Sequence, residues 1–450
     1  MIPILGPDEM RAADDAAAEP VEVLISRAGA AVARAAVDLL GGTYGRRVVV
    51  VAGKGNNGAD GREAARRLRR RGVRVGVVDA ASPGSTLAGC DLVIDAAYGT
   101  GFRGRWSPPD PGATPVLAVD IPSGVDGHTG EAGAGVLAAV ATVTFAALKP
   151  GLMLGRGREL AGEVTVADIG LDVERYASAH LVDGADVAGW LPTRPVDTHK
   201  WRAAVWVVAG SPGMTGAATL AARGAQRAGA GYVRLSTPGG TTGPGAPLEA
   251  VRVEVPAEGW AGAVLADLHR FKAVVVGPGL GHQALTAAQV RHLVEGCRVP
   301  MVVDGDALHA LGERPRGLRP TTVLTPHDGE YAALTGGPPG PDRLAAARAL
   351  AAASGAVVLL KGPTTVVAHP DGTVLVTATG DSRLATAGTG DVLSGMVAAL
   401  MAEGLQPAQA AAAAAAVHGT AAALGWRRGL VAGDLPDLVP VAFDHIDHPR

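Results

Sequence analysis

The chain repeats one local pattern, in which a short apolar run ends in a loop of glycine and polar residues that a helical segment follows. The run at 46–52 leads into Gly53-Lys-Gly-Asn-Asn-Gly-Ala-Asp-Gly61 and a charged helix predicted at 62–71. Strands that alternate with helices predict parallel sheets covered by helices. Ligands bind such sheets beyond the carboxyl ends of the strands. Further strands are predicted at 74–79, 91–96, 116–121, 141–147, 204–209, 271–276, 299–303, 322–325 and 356–360.

The repeated pattern loses its regularity between residues 176 and 201, where Gly184, Pro192 and Pro195 interrupt it. Domain boundaries fall in such segments. We therefore predict an α/β protein of two domains, residues 1–191 and 192–450. The last residues, 444–450, hold two histidines near aspartates, and we predict a mobile terminus there rather than the alternative of a metal site.

Composition excludes several classes of protein. With 48% hydrophobic residues the chain is not disordered. Its 40 basic and 43 acidic residues and its 3% of aromatics give no signature of nucleic-acid or membrane-surface binding. No uninterrupted apolar run reaches the roughly 18 residues of a membrane helix, and residues 1–11 show no basic stretch followed by an apolar one, so no signal sequence is predicted. We expect a soluble cytoplasmic protein. Cys90 and Cys297 are too isolated for a disulfide framework or a thiolate zinc site.

A loop near the C-terminus, Ala387-Gly-Thr-Gly-Asp391, precedes an apolar helix predicted at 392–401. Gly388 and Gly390 permit close approach of a ligand, and the free N–H groups at a helix N-terminus suit phosphate. Asp391 would repel an anion there. An aspartate at this position has a role if it accepts a proton from a hydroxyl that attacks phosphorus. The alternative is that Asp391 only caps the helix.

Polar residues also follow the predicted strands of the first domain. Asn57, Asp95 and Ser123 supply the amide, carboxylate and hydroxyl oxygens of a hard cation site. The alternative is that Asn57 and Asp60 stabilise turns and that Asp120 caps a loop.

The second domain has a comparable rim. Lys361-Gly362 and Thr364-Thr365 are candidates for nucleotide phosphate and ribose, although no P-loop motif is present. His327 is either a general acid or a hydrogen-bonding loop residue. Glu330 either orients substrate or a Mg²⁺-bound water, or is an ordinary helix-start carboxylate. Asp304 and Asp306 are expected to position their loop rather than to bind a ligand.

Taken together, these motifs resemble a known enzyme family along nearly the whole chain. The loop at 53–61, the Asp95 loop and Asp120-Ile-Pro-Ser-Gly resemble the NAD(P)H-hydrate epimerase domain, a Rossmann-like αβα fold. The segments at 210–217, 277–281, 325–330, 361–362 and 387–395 resemble the ADP-dependent NAD(P)H-hydrate dehydratase domain, a ribokinase-like αβα fold.

The resemblance implies two successive repairs of hydrated nicotinamide cofactors. The first domain would interconvert R- and S-NADHX or NADPHX. The second would dehydrate the S form with ADP, releasing AMP and phosphate. It also implies K⁺ in the epimerase domain, Mg²⁺ in the dehydratase domain and a homo-oligomer. Phosphorylation would turn the hydroxyl into a leaving group that the ring nitrogen can expel, with Asp391 taking the hydroxyl proton.

The site residues that follow from the resemblance fall into three groups. The catalytic candidates are Asp391 in the dehydratase and Asp120, with Asp60 second, in the epimerase. The potassium ligands are Asn57, Asp95 and Ser123. The residues that contact cofactor or nucleotide are Asn56, Asn57, Gly58, Ala59, Asp60, Gly99, Thr100, Gly101, Phe102, Arg103, Gly104, Arg105, Asp120, Gly279, His327, Asp328, Gly329, Glu330, Tyr331, Ala332, Ala333, Lys361, Gly362, Pro363, Thr364, Thr365, Ala387, Gly388, Thr389, Gly390 and Asp391.

Two positions depart from the family pattern. Ala59 replaces a glycine and Asp328 replaces a common proline, and neither change removes a catalytic candidate. Two alternatives stay open at this point: the second domain is a ribokinase-like vitamin or sugar kinase, or the first is a non-catalytic binding module for nucleotides or proteins.

Overall fold

A computed structural model describes residues 1–84, 86–87, 89–102, 104, 106–240 and 245–448. The chain forms two compact units, Ile2–Ala179 and His180–Arg450, the latter together with Met1. The units divide upstream of the predicted boundary because the helix Gly184–Trp190 belongs to the second unit, where its Val187 is fully buried in the core. Our assignment of two functional domains to residues 1–191 and 192–450 stays a prediction.

The first unit is built of short strands and of helices of very different length. Its helices are α1 Pro7–Asp15, α2 Val21–Leu40, α3 Asn56–Arg70 and α4 Gly155–Leu160. Its strands are β1 Ile2–Ile4, β2 Arg47–Ala52, β3 Arg74–Asp79, β4 Leu92–Ala96, β5 Val116–Val119, β6 Ala141–Phe145 and β7 Glu163–Ala167.

The second unit begins close to β8 Ala179–Leu181 and alternates strands and helices over most of its length. Its helices are α5 Gly184–Trp190, α6 Thr215–Arg227, α7 Trp260–Asp267, α8 Ala284–Gly296, α9 Asp306–Leu311, α10 Asp328–Thr335, α11 Arg343–Ser354, α12 Thr389–Glu403, α13 Pro407–Leu424 and α14 Leu435–Asp447. Its further strands are β9 Ala204–Val208, β10 Tyr232–Ser236, β11 Val251–Arg252, β12 Ala273–Val276, β13 Met301–Val303, β14 Thr322–Leu324, β15 Val357–Leu360, β16 Thr365–Ala368 and β17 Val374–Thr377.

The sheet of the first unit is parallel, in the order β3-β2-β4-β5-β6-β7. The chain reverses its direction across the sheet between β2 and β4. Loops after two strands that flank such a switch point diverge and leave a crevice for a ligand. The predicted loops after β2 and β4 therefore lie side by side at this crevice.

The sheet of the second unit runs in the order β17-β16-β15-β14-β13-β12-β9-β10-β11. All neighbouring strands from β15 across the sheet to β11 pair in parallel. Strand β16 pairs antiparallel with both β15 and β17. Here the switch point lies between β9 and β12. On one face, α6, α12, α13 and α14 share a core with alternate strand residues such as Val205 and Val207. The α/β fold is thus confirmed in both units.

Two local predictions differ from the structure. Helix α3 begins at Asn56, not at residue 62, because glycine lets the helix start directly against the strand: a Cβ on Gly58 would lie 1.9 Å from the Gly53 carbonyl oxygen. Helix α14 continues to Asp447, and Ile446 is buried in the core. The predicted mobile terminus is therefore wrong for residues 444–447.

Helices α6 and α12 meet through glycine. A Cβ on Gly395 would lie 2.0 Å from the Ala221 carbonyl oxygen and 2.8 Å from the Ala225 nitrogen, both of which are backbone atoms. We expect Gly395→Ala to lower the free energy of unfolding of the second unit by about 1–3 kcal/mol through overpacking. Urea unfolding followed by tryptophan fluorescence measures this, since Trp206 and Trp260 are buried there.

Gly262→Ala is the matched control. Gly262 also lies in a helix, but its added Cβ would meet no atom within 4 Å. It should stabilise the unit by about 0.4–1 kcal/mol, because alanine reduces the entropy of the unfolded chain. Equal effects of the two substitutions would contradict the packing argument.

Candidate active sites

The first unit contains a cavity of about 980 Å³ at the switch point of its sheet. The start of α3, the loop after β4 and the residue after β5 supply its polar wall. Among the predicted residues, those that line it are Asn56, Asn57, Asp60, Gly99, Thr100, Gly101, Phe102 and Asp120. The predicted strand-end loops thus converge on one cavity that is large enough for a cofactor fragment.

Asp120 is presented to this cavity by a strained turn. Its φ of 68° lies in the left-handed region, which is uncommon for residues other than glycine. Its Oδ1 lies 2.8 Å from Nζ of Lys149 and accepts a hydrogen bond from Thr144 Oγ1 at 3.2 Å. Asp120 is therefore a fixed carboxylate in an ion pair.

Lys149, which our sequence analysis missed, lines the same cavity and is 2% exposed. It follows β6 in the stretch Lys149-Pro-Gly. A lysine at the carboxyl end of a buried strand was the available signal, since lysine is almost never fully buried without a partner.

Asp60 is the second carboxylate of the cavity and lies in the first turns of α3, 7% exposed. Burial, and then the charges of Asp120 and Asp14, raise the pKa of Asp60 to about 8. Burial also raises the pKa of Asp14. At neutral pH Asp60 is therefore mostly protonated and can donate a proton.

Asn57, Asp95 and Ser123 fit a cation in their chemistry. Both polar side-chain atoms of Asn57 are buried without a hydrogen-bond partner. Asp95 is fully buried, and burial raises the pKa of its carboxyl group despite hydrogen bonds from the Ser123 hydroxyl (2.6 Å) and the Ser123 backbone N–H (2.9 Å). A cation bound here would satisfy the Asn57 oxygen and neutralise the buried Asp95 carboxylate.

Other residues predicted for this site have different positions. Gly58 packs against the Gly53 backbone, and Ala59 is half-buried on α3. Gly104 follows the cavity-lining segment. Arg103 and Arg105 lie outside the described residues.

In the second unit, Asp391 occupies the first turn of α12, after Gly388 with φ of 94°. Within the part of the chain that the structure describes, its carboxylate forms no hydrogen bond or ion pair, so it does not cap the helix. A Cβ on Gly388 would lie 3.7 Å from Asp391 Oδ2, which places the carboxylate beside the loop. Burial, and then the charge of Asp304 opposed by that of Lys361, raise the pKa of Asp391 to about 7.

Lys361 reaches the same place from the end of β15. Its Nζ lies 3.0 Å from Asp304 Oδ1 and 3.4 Å from Glu330 Oε2, and a Cβ on Gly390 would lie 3.3 Å from it. Burial alone would lower the pKa of Lys361, but the two carboxylates outweigh it and the pKa is raised. The loops after β13, β14 and β15 and the α12 N-terminus thus bring one ammonium and several carboxylates together.

The segment after β14 forms a helix start. His327 Nδ1 accepts from the N–H groups of Gly329 (3.0 Å) and Glu330 (3.3 Å), and Glu330 Oε2 accepts from the His327 N–H at 2.8 Å. His327 is therefore a helix cap in this structure, which is the hydrogen-bonding alternative. Tyr331 is buried and its hydroxyl donates to the Ala346 carbonyl. Ala332 and Ala333 follow it on α10.

Asp328, one of the two departures, forms an ion pair with Arg343 at 2.9 Å. Arg343 Nη2 also donates to the Lys361 carbonyl at 2.8 Å. The substitution therefore connects the start of α10 to the predicted nucleotide loop. In that loop Thr364 is buried, Thr365 donates to the Gly362 carbonyl at 3.4 Å, and Pro363 lies next to Gly380.

Gly279 lies in the loop after β12, at the second switch point, and Asp306 begins α9 after the neighbouring strand β13. Ser211 Oγ donates to the Gly279 carbonyl at 2.9 Å, and Asp306 Oδ2 accepts from the Gly281 N–H at 2.7 Å. Asp306 holds its neighbouring loop in place. Ala387 is exposed, whereas Thr389 is buried and its hydroxyl donates to the Leu384 carbonyl at 2.9 Å. These contacts fix the glycine loop against α12.

Comparison with protein families gives two matches. Residues 205–440 match a family model described as NAD(P)H-hydrate dehydratase, and residues 21–88 and 79–151 match one described as YjeF-related protein N-terminus. A bifunctional NAD(P)H-hydrate repair enzyme of Moorella thermoacetica is 37% identical over 469 residues, covering 89% of this chain and 88% of that protein.

Solved structures resemble the second unit. An ADP/ATP-dependent NAD(P)H-hydrate dehydratase from Bacillus subtilis, co-crystallised with ATP and Mg²⁺, is 31% identical with a TM-score of 0.52, covering 59% of this chain and 97% of its own. A ribokinase-like superfamily protein of Enterococcus faecalis, 21% identical with a TM-score of 0.54, covers 60% of this chain and 98% of its own and shows the same fold. None of the helices in the described ranges has the length and apolar character that a membrane crossing requires.

Proposed function

The chain belongs to the family of bifunctional NAD(P)H-hydrate repair enzymes, and from this membership we propose the residues with which it performs two repair steps. It interconverts the R and S hydrates of NADH and NADPH and dehydrates the S hydrate to the intact cofactor. Its relatives are named bifunctional NAD(P)H-hydrate repair enzymes, which favours repair over the kinase and the non-catalytic module that the motifs alone left open.

The observation that carries the dehydratase proposal is the free carboxylate of Asp391 beside the Gly388–Gly390 turn. The carboxylate takes the proton of the substrate hydroxyl as that oxygen attacks the terminal phosphorus of the nucleotide. The N–H groups at the start of α12 and the Lys361 ammonium stabilise charge on the phosphoryl group. The phosphorylated hydroxyl then leaves as phosphate, expelled by the ring nitrogen, and loss of a proton from the neighbouring ring carbon restores the dihydronicotinamide ring.

The co-substrate and metal follow from the same chemistry. We propose ADP as the donor, with AMP and phosphate as products, and Mg²⁺ bound with the nucleotide. Because Mg²⁺ is usually held by substrate phosphates and only one or two carboxylates, no dedicated cage is needed. Glu330 is a carboxylate that would be available to it or to its waters. When bound, Mg²⁺ would neutralise part of the negative charge of the nucleotide phosphates.

In the first unit we propose that Asp120 is the base of epimerisation and Asp60 its partner acid. The nicotinamide end of the hydrate lies in the cavity, with the loops at 56–60 and 99–102 around the rest of the cofactor. The polar lining of the cavity and the different environments of the Asp120 and Asp60 carboxyl groups support this assignment.

The test follows NADH absorbance with purified hydrates and the full chain. The S hydrate with ADP and Mg²⁺ should yield NADH and one phosphate per NADH. The R hydrate should yield NADH through the S form without another enzyme. A stable phosphorylated product without NADH would instead identify a kinase.

Asn57, Asp95 and Ser123 are proposed to hold K⁺, which would neutralise the buried Asp95 carboxylate and order the loop after β4. We expect KCl, compared with N-methylglucamine chloride, to raise the thermal midpoint of the first unit and the rate of epimerisation. Asp95→Asn should abolish both responses. If K⁺ changes neither quantity in the wild type, these residues do not form a potassium site.

A further inference from the structure

Lys149 is the buried cation of the first unit's cavity. Its ammonium donates to Thr144 Oγ1 at 2.8 Å and to the carbonyls of Phe145 (3.0 Å) and Ala147 (3.2 Å), and it contacts Asp120 Oδ1 at 2.8 Å. Burying an ammonium group away from water is unfavourable in free energy. Here the three hydrogen-bond acceptors and the Asp120 carboxylate offset that desolvation. A lysine held this firmly cannot swing out to bind a substrate phosphate.

The backbone on both sides of the ion pair is strained. Asp120 and Ala146 have φ values of 68° and 61°, in the left-handed region that glycine favours. The Lys149 ammonium binds the carbonyls that flank Ala146, so the ion pair and the strained turns hold each other. Such strain persists where surrounding structure over-determines it, typically at functional sites.

The cavity's charged groups divide into two environments. Asp120 faces the ammonium. Asp60, within the described residues, has no ion pair or hydrogen bond to its carboxyl group and is buried near Asp120 and Asp14. Among the described residues, the other charged side chains that line the cavity are Asp14, Glu19, which is half-buried, and Lys54, which is exposed. One ammonium therefore serves one of two neighbouring carboxyl groups.

We infer that Lys149 is a positioning residue of epimerisation, which fixes Asp120 as the carboxylate base and leaves Asp60 as the proton donor. This inference rests on the epimerase activity proposed above. Pairs of carboxyl groups in unlike environments commonly divide the acid and base roles in this way.

The reaction needs both roles at once. The hydrated carbon carries a hydroxyl and is bonded to the ring nitrogen, so it is a hemiaminal. As Asp120 takes the hydroxyl proton, the bond between that carbon and nitrogen breaks to give an aldehyde, and Asp60 gives its proton to the nitrogen. Rotation of the aldehyde and the reverse proton transfers close the ring on the opposite face. Atoms and electrons balance without any further reactant.

The test compares Lys149→Met and Lys149→Ala in the full chain. Both variants should lower kcat for epimerisation of the R hydrate by about 100-fold with little change in KM, since the base loses its counter-charge. In Lys149→Ala the removed side chain opens space to the cavity. Added n-propylammonium should then raise kcat of this variant about 10-fold, because it replaces the missing charge. The neutral isostere n-butane should not raise it.

Controls separate the possible failures. Arg70→Met removes an exposed positive charge from α3 and should leave epimerisation unchanged. Dehydration of the S hydrate and a first-unit thermal transition report folding. Epimerisation by folded Lys149→Met within about threefold of wild type would overturn the inference. So would loss of activity in Lys149→Ala that the amine does not relieve. A wild-type chain unable to epimerise would refute the proposed function itself.

Discussion

Asp391→Asn is expected to lower the rate of dehydration of the S hydrate by about 10³-fold, because the amide cannot take the hydroxyl proton. The substitution keeps the size of the side chain and removes a charge that repels nucleotide, so binding of ADP should be unchanged or tighter. Steady-state kinetics and calorimetric titration with ADP measure the two effects separately.

The pH dependence gives an independent check of Asp391. Its pKa is about 7, raised first by burial. Below that pH the carboxyl group is protonated and cannot act as a base, whereas above it the carboxylate is present. The kcat/KM for dehydration in wild type should therefore rise with pH, reach half of its maximum at about 7 and level off at higher pH. The residual activity of Asp391→Asn should lack this inflection.

Asp444→Asn is the control for Asp391→Asn, since Asp444 is an exposed carboxylate of α14. It should leave both rate and pH profile unchanged. Turnover of Asp391→Asn near the wild-type rate would remove Asp391 from the mechanism.

Much of the fold could be predicted because its buried strands are short apolar runs bounded by glycine. The predicted strand at 46–52 differs by one residue from β2, and the loops at the strand ends meet at the switch point as parallel sheets require. Helix boundaries could not be predicted as well. Asn56 begins α3 because Gly58 fits against the Gly53 carbonyl, a close backbone contact that the residue types alone do not reveal.

The candidate sites were predictable where a motif places a side chain after a strand, as with Asp120 and Asp391. Lys149 was not predicted, because a single lysine in a sequence is usually a solvated surface residue. The fold shows that it is 2% exposed and lies beside Asp120. The hydrogen bond from Arg343 to the Lys361 carbonyl joins two separate elements of the fold and could not be predicted from the sequence either.

Asp120→Asn is expected to lower the rate of epimerisation by about 10³-fold, while the rate of dehydration of the S hydrate stays unchanged. Asparagine keeps the shape of the side chain but removes the base and leaves the Lys149 ammonium without its carboxylate. Asp172→Asn, an exposed carboxylate of the same unit, is the control and should epimerise at the wild-type rate. The full chain supplies the coupled assay, because only epimerised R hydrate yields NADH.

The double variant Asp120→Asn with Lys149→Met decides whether the two residues act together. If Lys149 works through Asp120, its loss has no further effect once Asp120 is replaced, so the double variant should be about as slow as Asp120→Asn alone. Removing the unpaired ammonium should also recover part of the thermal stability that Asp120→Asn loses, because a buried charge without a partner is unfavourable. Multiplicative losses of rate would show instead that Lys149 and Asp120 contribute independently, and the ion pair would then have no catalytic role.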